Sequence, residues 1–208
     1  MAPSIPARPV IFGEVLFDVF PDGTAVLGGA AFNVAWNLRG LGLDPLFVSR
    51  VGDDERGRGV LGAMERFGMD TSAVEVDPIR PTGVVTVAFR DGEPSYEIIA
   101  DQAYDRIEAR AAKEAIDRSG GAALLYHGTL ALRAPESRSG LERLRDAVSC
   151  PVFVDVNLRE PWWSRDDVLK LVHEAEHAKL NVHELALLTG LDTTSGGEKS
   201  IVAAARRL

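Results

Sequence analysis

Apolar residues run almost unbroken through "PVIFGEVLFDVF", residues 9–20. A segment apolar on both faces reads as a buried strand, and the pattern predicts one strand ending at Asp18. Four residues apart on a strand, Glu14 and Asp18 are then expected on the same face. "GGAAFNVAWNLRGLG" reads as a helix that opens on Gly28 and Gly29 and closes at Gly40 or Gly42. "DPLFVSRVG" is a second strand, and "DERGRGVLGAMERFGM" a second helix stopped near Gly68. Strand, helix, strand, helix predicts a parallel sheet with right-handed crossovers.

The pattern then changes. "TSAVEVD", "TGVVTVAFR" and "PSYEIIA" are strand-like with no helix between them, and Asp91-Gly92 is a hairpin turn signal joining the last two. These residues, from about 73 to 100, are expected to form a small β lid outside the α/β layer, together with a short strand near 24–28. Alternation returns in "AKEAIDRSG" (helix), "AALLYHG" (strand), "PESRSGLERLRDAV" (helix) and "PVFVDVN" (strand). It continues through "SRDDVLKLVHEAEH" (helix), "AKLN" (short strand), "VHELALLTG" (helix) and "GEKSIVAAARRL" (helix), which reaches Leu208. The expected class is α/β, a mostly parallel central sheet flanked by helices, with a small inserted β-sheet lid.

Composition narrows the function. The 208 residues are 46% hydrophobic, enough for one ordinary core, and the formal net charge of −8 repels polyanions. No nucleic-acid or membrane partner is expected, and no apolar run approaches membrane-spanning length. A single cysteine, Cys150, excludes an internal disulfide and a cysteine-based zinc cluster. With no apolar leader in "MAPSIPARP", a cytoplasmic location is expected.

In open parallel sheets, ligands collect beyond the carboxyl ends of the strands. The polar residues predicted there are Glu14 and Asp18, then Asp155, Asn157 and Arg159, then Asn181 with Glu184 in the first turn of the following helix. Gly28 and Gly29 lead into a helix carrying Asn33. These acceptors and amides suit sugar hydroxyls, and a carboxylate with an amide suits hydrated Mg²⁺. Each has a plainer alternative. Asp18 could cap a turn, Asn33 could satisfy local backbone, and Glu184 could be a helix N-terminal charge.

Gly28, Gly29, Ala31, Asn33, Ala35, Gly42 and Gly52 stand in the spacing of the first signature of the ribokinase-like (PfkB) carbohydrate kinases, which this stretch resembles. "FGEVLFD" resembles the first strand of fructokinases, "DVNLREPWW" their Asp-x-Asn-x-Arg segment, and "NVHE" the family's Asn-x-x-Glu motif. The resemblance implies an ATP- and Mg²⁺-dependent kinase of a fructose-like sugar. Asp18 and Asn33 would bond sugar hydroxyls, with Glu14 and Arg159 as further substrate contacts. Gly28 and Gly29 would form a hinge, and Asn181 and Glu184 would order the water shell of Mg²⁺ beside ATP. A homodimer through the lid is also implied. The family's later Gly-Ala-Gly-Asp segment, which carries the general-base Asp, has no counterpart here, and that Asp is expected beyond Leu208. No catalytic residue is therefore assigned within residues 1–208. The chain is expected to be the N-terminal two-thirds of such a kinase, without the C-terminal nucleotide-binding part and inactive by itself. The alternative is a sugar-binding module that does not phosphorylate.

Two motifs point elsewhere. His173, Glu174 and His177 fit H-E-x-x-H, expected on one helical face, and would make a zinc hydrolase. The longer zinc-protease pattern needs glycine where Leu180 stands, and His183 falls inside the Asn-x-x-Glu motif. "TSGGEKS" resembles the end of a P-loop, but Glu198 occupies the position that glycine must fill before the lysine. His127, ending a strand, is read as a sheet-edge or structural residue.

Overall fold

The first apolar run breaks at Gly13. In the computed structural model, which describes residues 7–90, 93–191 and 197–208, β1 (Arg8–Phe12) and β2 (Leu16–Val19) belong to different sheets. One strand running to Asp18 is thus replaced by two with a bend between them. A Cβ at Gly13 would lie 2.6 Å from that of Ala31, so glycine lets the chain turn against the following helix.

Strands are numbered along the chain. β2 pairs antiparallel with β3 (Ala25–Gly28) and parallel with β6 (Gly83–Arg90), and β6 pairs antiparallel with β7 (Glu93–Ile98). These four form the lid sheet, in the order β3-β2-β6-β7. The Asp91-Gly92 turn lies outside the described residues. The main sheet is parallel throughout, with β1 flanked by β4 (Leu46–Gly52) and then β5 (Val74–Asp77). On its other side come β8 (Ala122–His127), β9 (Val152–Asp155) and β10 (His177–Lys179).

β5 departs from the sequence pattern. Expected in the lid, it pairs parallel with β4 as an edge of the main sheet. The helix before it already supplies the crossover that a parallel neighbour requires.

Helices cover both faces. Val10, Phe12, Leu46, Val48 and Leu125 pack against α3 (Arg110–Arg118) and α4 (Pro135–Ala147). The alternate residues Ile11, Phe47, Val51 and Tyr126 pack against α1 (Ala30–Gly40) and α2 (Glu55–Arg66). This two-sided burial explains why the strands are apolar at successive positions. Val154, Val156, Val168, Val172 and Leu188 form a third cluster between β9, α5 (Arg165–His173) and α6 (Val182–Thr189). α7 (Gly197–Ala205) follows. It contains Lys199 and Ser200 of "TSGGEKS", whose first three residues fall outside the described residues. The helix expected to reach Leu208 stops at Ala205, and Leu208 lies past its end, half-buried against the third cluster.

Candidate sugar-binding site

The bend after β1 carries Glu14 into the space between the two sheets. Glu14 is 2% exposed, and its Oε1 accepts the N–H groups of Ala30 (2.9 Å) and Ala31 (3.4 Å). These are the first residues of α1, so the carboxylate sits on the positive end of that helix. Its Oε2 is buried without a partner. Burial raises the Glu14 pKa, opposed by those backbone N–H groups and by the Arg159 charge.

Around Glu14 opens a cavity of about 400 Å³, lined by Asp18, Asn33, Tyr96, Asn157 and Arg159 among others. Asp18 comes from β2 of the lid, and burial raises its pKa while Arg159 opposes the shift. One cation thus faces two carboxylates. Asn33 lies in the first turns of α1, its N–H donating to Gly29 O at 2.8 Å. Gly29 has φ +109, and a Cβ there would lie 2.7 Å from Glu14 O, so the entry to α1 requires glycine. Gly28 has room for a Cβ only 3.2 Å from Asp18 Oδ2. Asn157 follows β9 at φ 41, a left-handed conformation that asparagine tolerates. The structure therefore brings Glu14, Asp18, Gly29, Asn33 and Arg159 to one cavity, with Gly28 beside it.

Leu16, Val85, Ile98 and Leu130 complete the apolar part of the lining, with Tyr96. The sequence pattern did not mark these as site residues. Period-two alternation in "PSYEIIA" puts Tyr96 and Ile98 on one strand face, but it cannot say what that face covers.

Other candidates fall elsewhere. Asp155 accepts from Tyr126 Oη (3.1 Å) and Lys179 Nζ (2.8 and 2.9 Å), tying the ends of three strands. Asn181 and Glu184 form a capping box at the start of α6. Asn181 Oδ1 accepts Glu184 N–H, and Glu184 Oε2 accepts Asn181 N–H, each at 2.9 Å. Glu184 Oε1 accepts Leu158 N–H at 2.9 Å, and the residue is 5% exposed. With both carboxylate oxygens engaged, this pair does not fit direct coordination of Mg²⁺. Among the described residues no group of three or more His, Cys, Asp or Glu side chains could hold a metal ion. Leu208 is not itself a site residue. Its apolar side chain packs against the third cluster and takes no part in lining the cavity.

The H-E-x-x-H reading meets a geometric obstacle. His173 is the last residue of α5 and His177 the first of β10, so the two do not share a helical face. The helix stops because the chain must return as a parallel strand, and Glu176 accepts Val152 N–H at 2.7 Å in the turn. His127 is 1% exposed, its Nδ1 2.9 Å from Gly128 O and its Nε2 unpartnered. Burial pushes its pKa down to about 4.

A second cavity, of about 150 Å³, lies between α4 and α5 beside Trp162 and Trp163. Its rim charges are paired across the helices, Arg138 with Asp167 and Arg145 with Glu174. The cavity around Glu14, with its unpartnered buried carboxylate oxygen, is the better candidate for a polar ligand.

Residues 18–208 match the family model for pfkB family carbohydrate kinases. The chain belongs to that family. It is 31% identical over 207 residues to fructokinase-1 of Oryza sativa subsp. japonica, covering 88% of this chain and 63% of that protein. A fructokinase of Klebsiella pneumoniae is 29% identical over 201 residues, covering 90% of this chain and 64% of the relative. The pfkB chain thus spans under two-thirds of the length of these curated relatives. Among solved structures, the fructokinase of Vibrio cholerae O395, in a form bound to fructose, ADP and calcium ion, superposes with a TM-score of 0.76. It is 25% identical, covering 97% of this chain and 68% of that one. A PfkB protein from Polaromonas sp. JS666 shares the fold at TM-score 0.80 and 23% identity, over 97% of this chain and 74% of that one. No helix among the described residues is long and apolar enough to cross a membrane.

Proposed function

We propose that this chain is the sugar-binding part of an ATP-dependent carbohydrate kinase, with a fructose-like ketose as acceptor. The observation that carries the reading is the cavity between lid and main sheet, where Glu14, Asp18, Asn33, Asn157 and Arg159 converge in a pfkB family fold. Asp18 accepts from sugar hydroxyls, and Asn33 can both donate and accept. Arg159 balances the two carboxylates and is the further contact for substrate. Tyr96 and Ile98 bring the lid over the sugar, which excludes water as a competing acceptor.

ATP is the proposed phosphoryl donor, and its bound form would supply the transferable phosphoryl group. Catalysis of this kind is mostly positioning and charge neutralisation. The residues described here serve the first by orienting the sugar, and none up to Leu208 is assigned as general base. Any role of Asn181 and Glu184 toward Mg²⁺ would run through water, since their side-chain oxygens are already engaged in the capping box and by Leu158 N–H.

Calorimetric titration with fructose, ribose, 2-keto-3-deoxygluconate and a nucleoside tests the reading. Fructose is expected to bind most tightly, and binding of none of the four would refute it. A coupled ADP-release assay with ATP, Mg²⁺ and the bound sugar, on protein expressed from the complete coding sequence, tests phosphorylation. Sugar binding with no turnover would leave a binding module in place of a kinase.

A further inference from the structure

Arg133 lies outside the cavity lining yet reaches both segments that border it. It ends the 3₁₀ turn Leu130–Arg133 after β8, with its side chain 4% exposed. Nε and Nη2 donate to Asp105 Oδ1 and Oδ2 at 2.8 and 2.9 Å, and Nη2 also donates to Ile99 O at 2.6 Å. Ile99 immediately follows lid strand β7. Asp105 Oδ2 accepts Gln102 N–H at 3.0 Å, and Gln102 Oε1 accepts Val84 N–H of lid strand β6 at 2.6 Å. Both strands of the lid hairpin are therefore tied, at their core ends, to one guanidinium.

The same guanidinium lies 4.5 Å from the Trp162 ring centroid and 5.2 Å from that of Tyr104. Trp162 belongs to the segment that carries Asn157 and Arg159, and its backbone N–H donates to Arg159 O at 2.8 Å. Tyr104 packs in one cluster with Leu16, Val85 and Leu130, three of the cavity-lining residues. A flat fork can pair bidentately with a carboxylate, reach a carbonyl and stack on rings at once; an ammonium cannot. A buried ion pair contributes little net stability against an apolar replacement, and Nη1 is buried without a partner. Geometry, rather than stability, is the better account of this arrangement.

We propose that Arg133 is a positioning residue for sugar binding. It holds the root of the lid and the loop after β9 in one arrangement, in which Tyr96 and Ile98 face Asn157 and Arg159 across the cavity. The inference rests on the sugar-pocket reading and adds to it the link that couples lid to loop.

The test uses protein expressed from the complete coding sequence. Fructose affinity is measured by calorimetry, and fructose-induced protection of residues 83–99 by hydrogen exchange. Arg133→Lys keeps the charge but not the fork, and Trp162→Ala removes the stack while leaving Asp105 paired. Lys170→Ala, on the exposed face of α5, is the control. Arg133→Lys is expected to raise the Kd about tenfold or more and to lose the fructose-induced protection. Trp162→Ala should move both readouts in the same direction, less far, and the control neither. Folded Arg133→Lys and Trp162→Ala variants with wild-type affinity and wild-type protection would overturn the proposal. If Arg133→Lys does not fold, Trp162→Ala decides alone. Wild-type protein that binds no sugar would sink the pocket reading and this inference together; wild-type binding with unaffected variants sinks only the inference.

Discussion

Asp18 and Asn33 approach the cavity from different directions, one from the lid and one from α1. Asp18→Ala should weaken fructose binding by about 1.5–3 kcal/mol, the usual size for a hydrogen bond to a charged group, and Asn33→Ala by somewhat less. Calorimetry on folded variants checks both, and unchanged affinity in the two would remove them from the site. His127 carries a different prediction. Its pKa falls from 6.5 to about 4 because burial disfavours the imidazolium, the nearby Arg145 adding to the shift and the Gly128 carbonyl opposing it. The unfolded chain therefore binds the proton more readily. The stability that a neutral His127 contributes is complete above pH 6.5 and is lost as pH falls toward 4, on the order of 3 kcal/mol. Glu14 acts with the opposite sign. Its raised pKa favours the protonated carboxyl in the fold, a contribution held at low pH and lost as pH rises through the folded-state value. His127→Leu separates the two. Urea midpoints between pH 7 and pH 4 should fall less steeply in the variant, and parallel curves would contradict the assignment. At this scale residue types and spacing were legible for Gly29 and Asn33, because a glycine-led helix start has a local signal, and for Asp18 as the polar residue near the end of an apolar run. Arg133 and Tyr96 were not, since their roles depend on which distant segments they meet.

The elements show where local pattern gives out. Helix starts and stops were readable from glycines and caps: α1 follows Gly29, and α2 has Asp54 as its N-cap, accepting Gly57 N–H. Strand membership was less so. "PVIFGEVLFDVF" and "TSAVEVD" look alike in hydropathy whether they join the main sheet or the lid. What separates them is non-local, the contact of Gly13 with Ala31 and the pairing of β5 with β4. The end of α5 was misjudged for a related reason, since "HEAEH" has good helix formers, and parallel pairing to β9 draws His177 into β10 instead. Gly29→Ala must hold φ +109 with a Cβ pressed toward Glu14 O, at a cost of about 1–3 kcal/mol in stability, and should also weaken fructose binding. Asn181→Ala removes the capping acceptor of α6 and should cost about 1 kcal/mol. Thermal melts of both, with titration of the first, check these values. A melting temperature unchanged in Gly29→Ala would mean that the α1 entry is not held as described.

For the molecule as a whole, the lid raises the question of what covers it. β3 and β7 are its two edges. On the face that borders the cavity, Val85 pairs with Ile98 and Val87 with Tyr96, so alternation continues that face outward to Phe89. Val87 is buried, but the face is exposed at Val26 (49%) and Phe89 (58%), and at Tyr96 (60%) on the rim of the cavity. A four-stranded sheet with a bare apolar stretch and two free edges is a natural pairing surface. A second copy of the same lid supplies the matching apolar face under two-fold symmetry, where the same residues meet on both sides. The expected state is therefore a homodimer joined through the lids, each covering the exposed apolar stretch of the other. Phe89→Asp places a carboxylate in the middle of that contact, on a side chain that does not line the sugar cavity. Light scattering at micromolar concentration should give a dimer for protein expressed from the complete coding sequence and a monomer for Phe89→Asp. The sugar contacts on Asp18 and Asn33 would persist in the variant, so fructose binding should weaken rather than vanish. A wild-type monomer across that concentration range would rule the pairing out. A dimer that survives Phe89→Asp unchanged would move the interface to another surface.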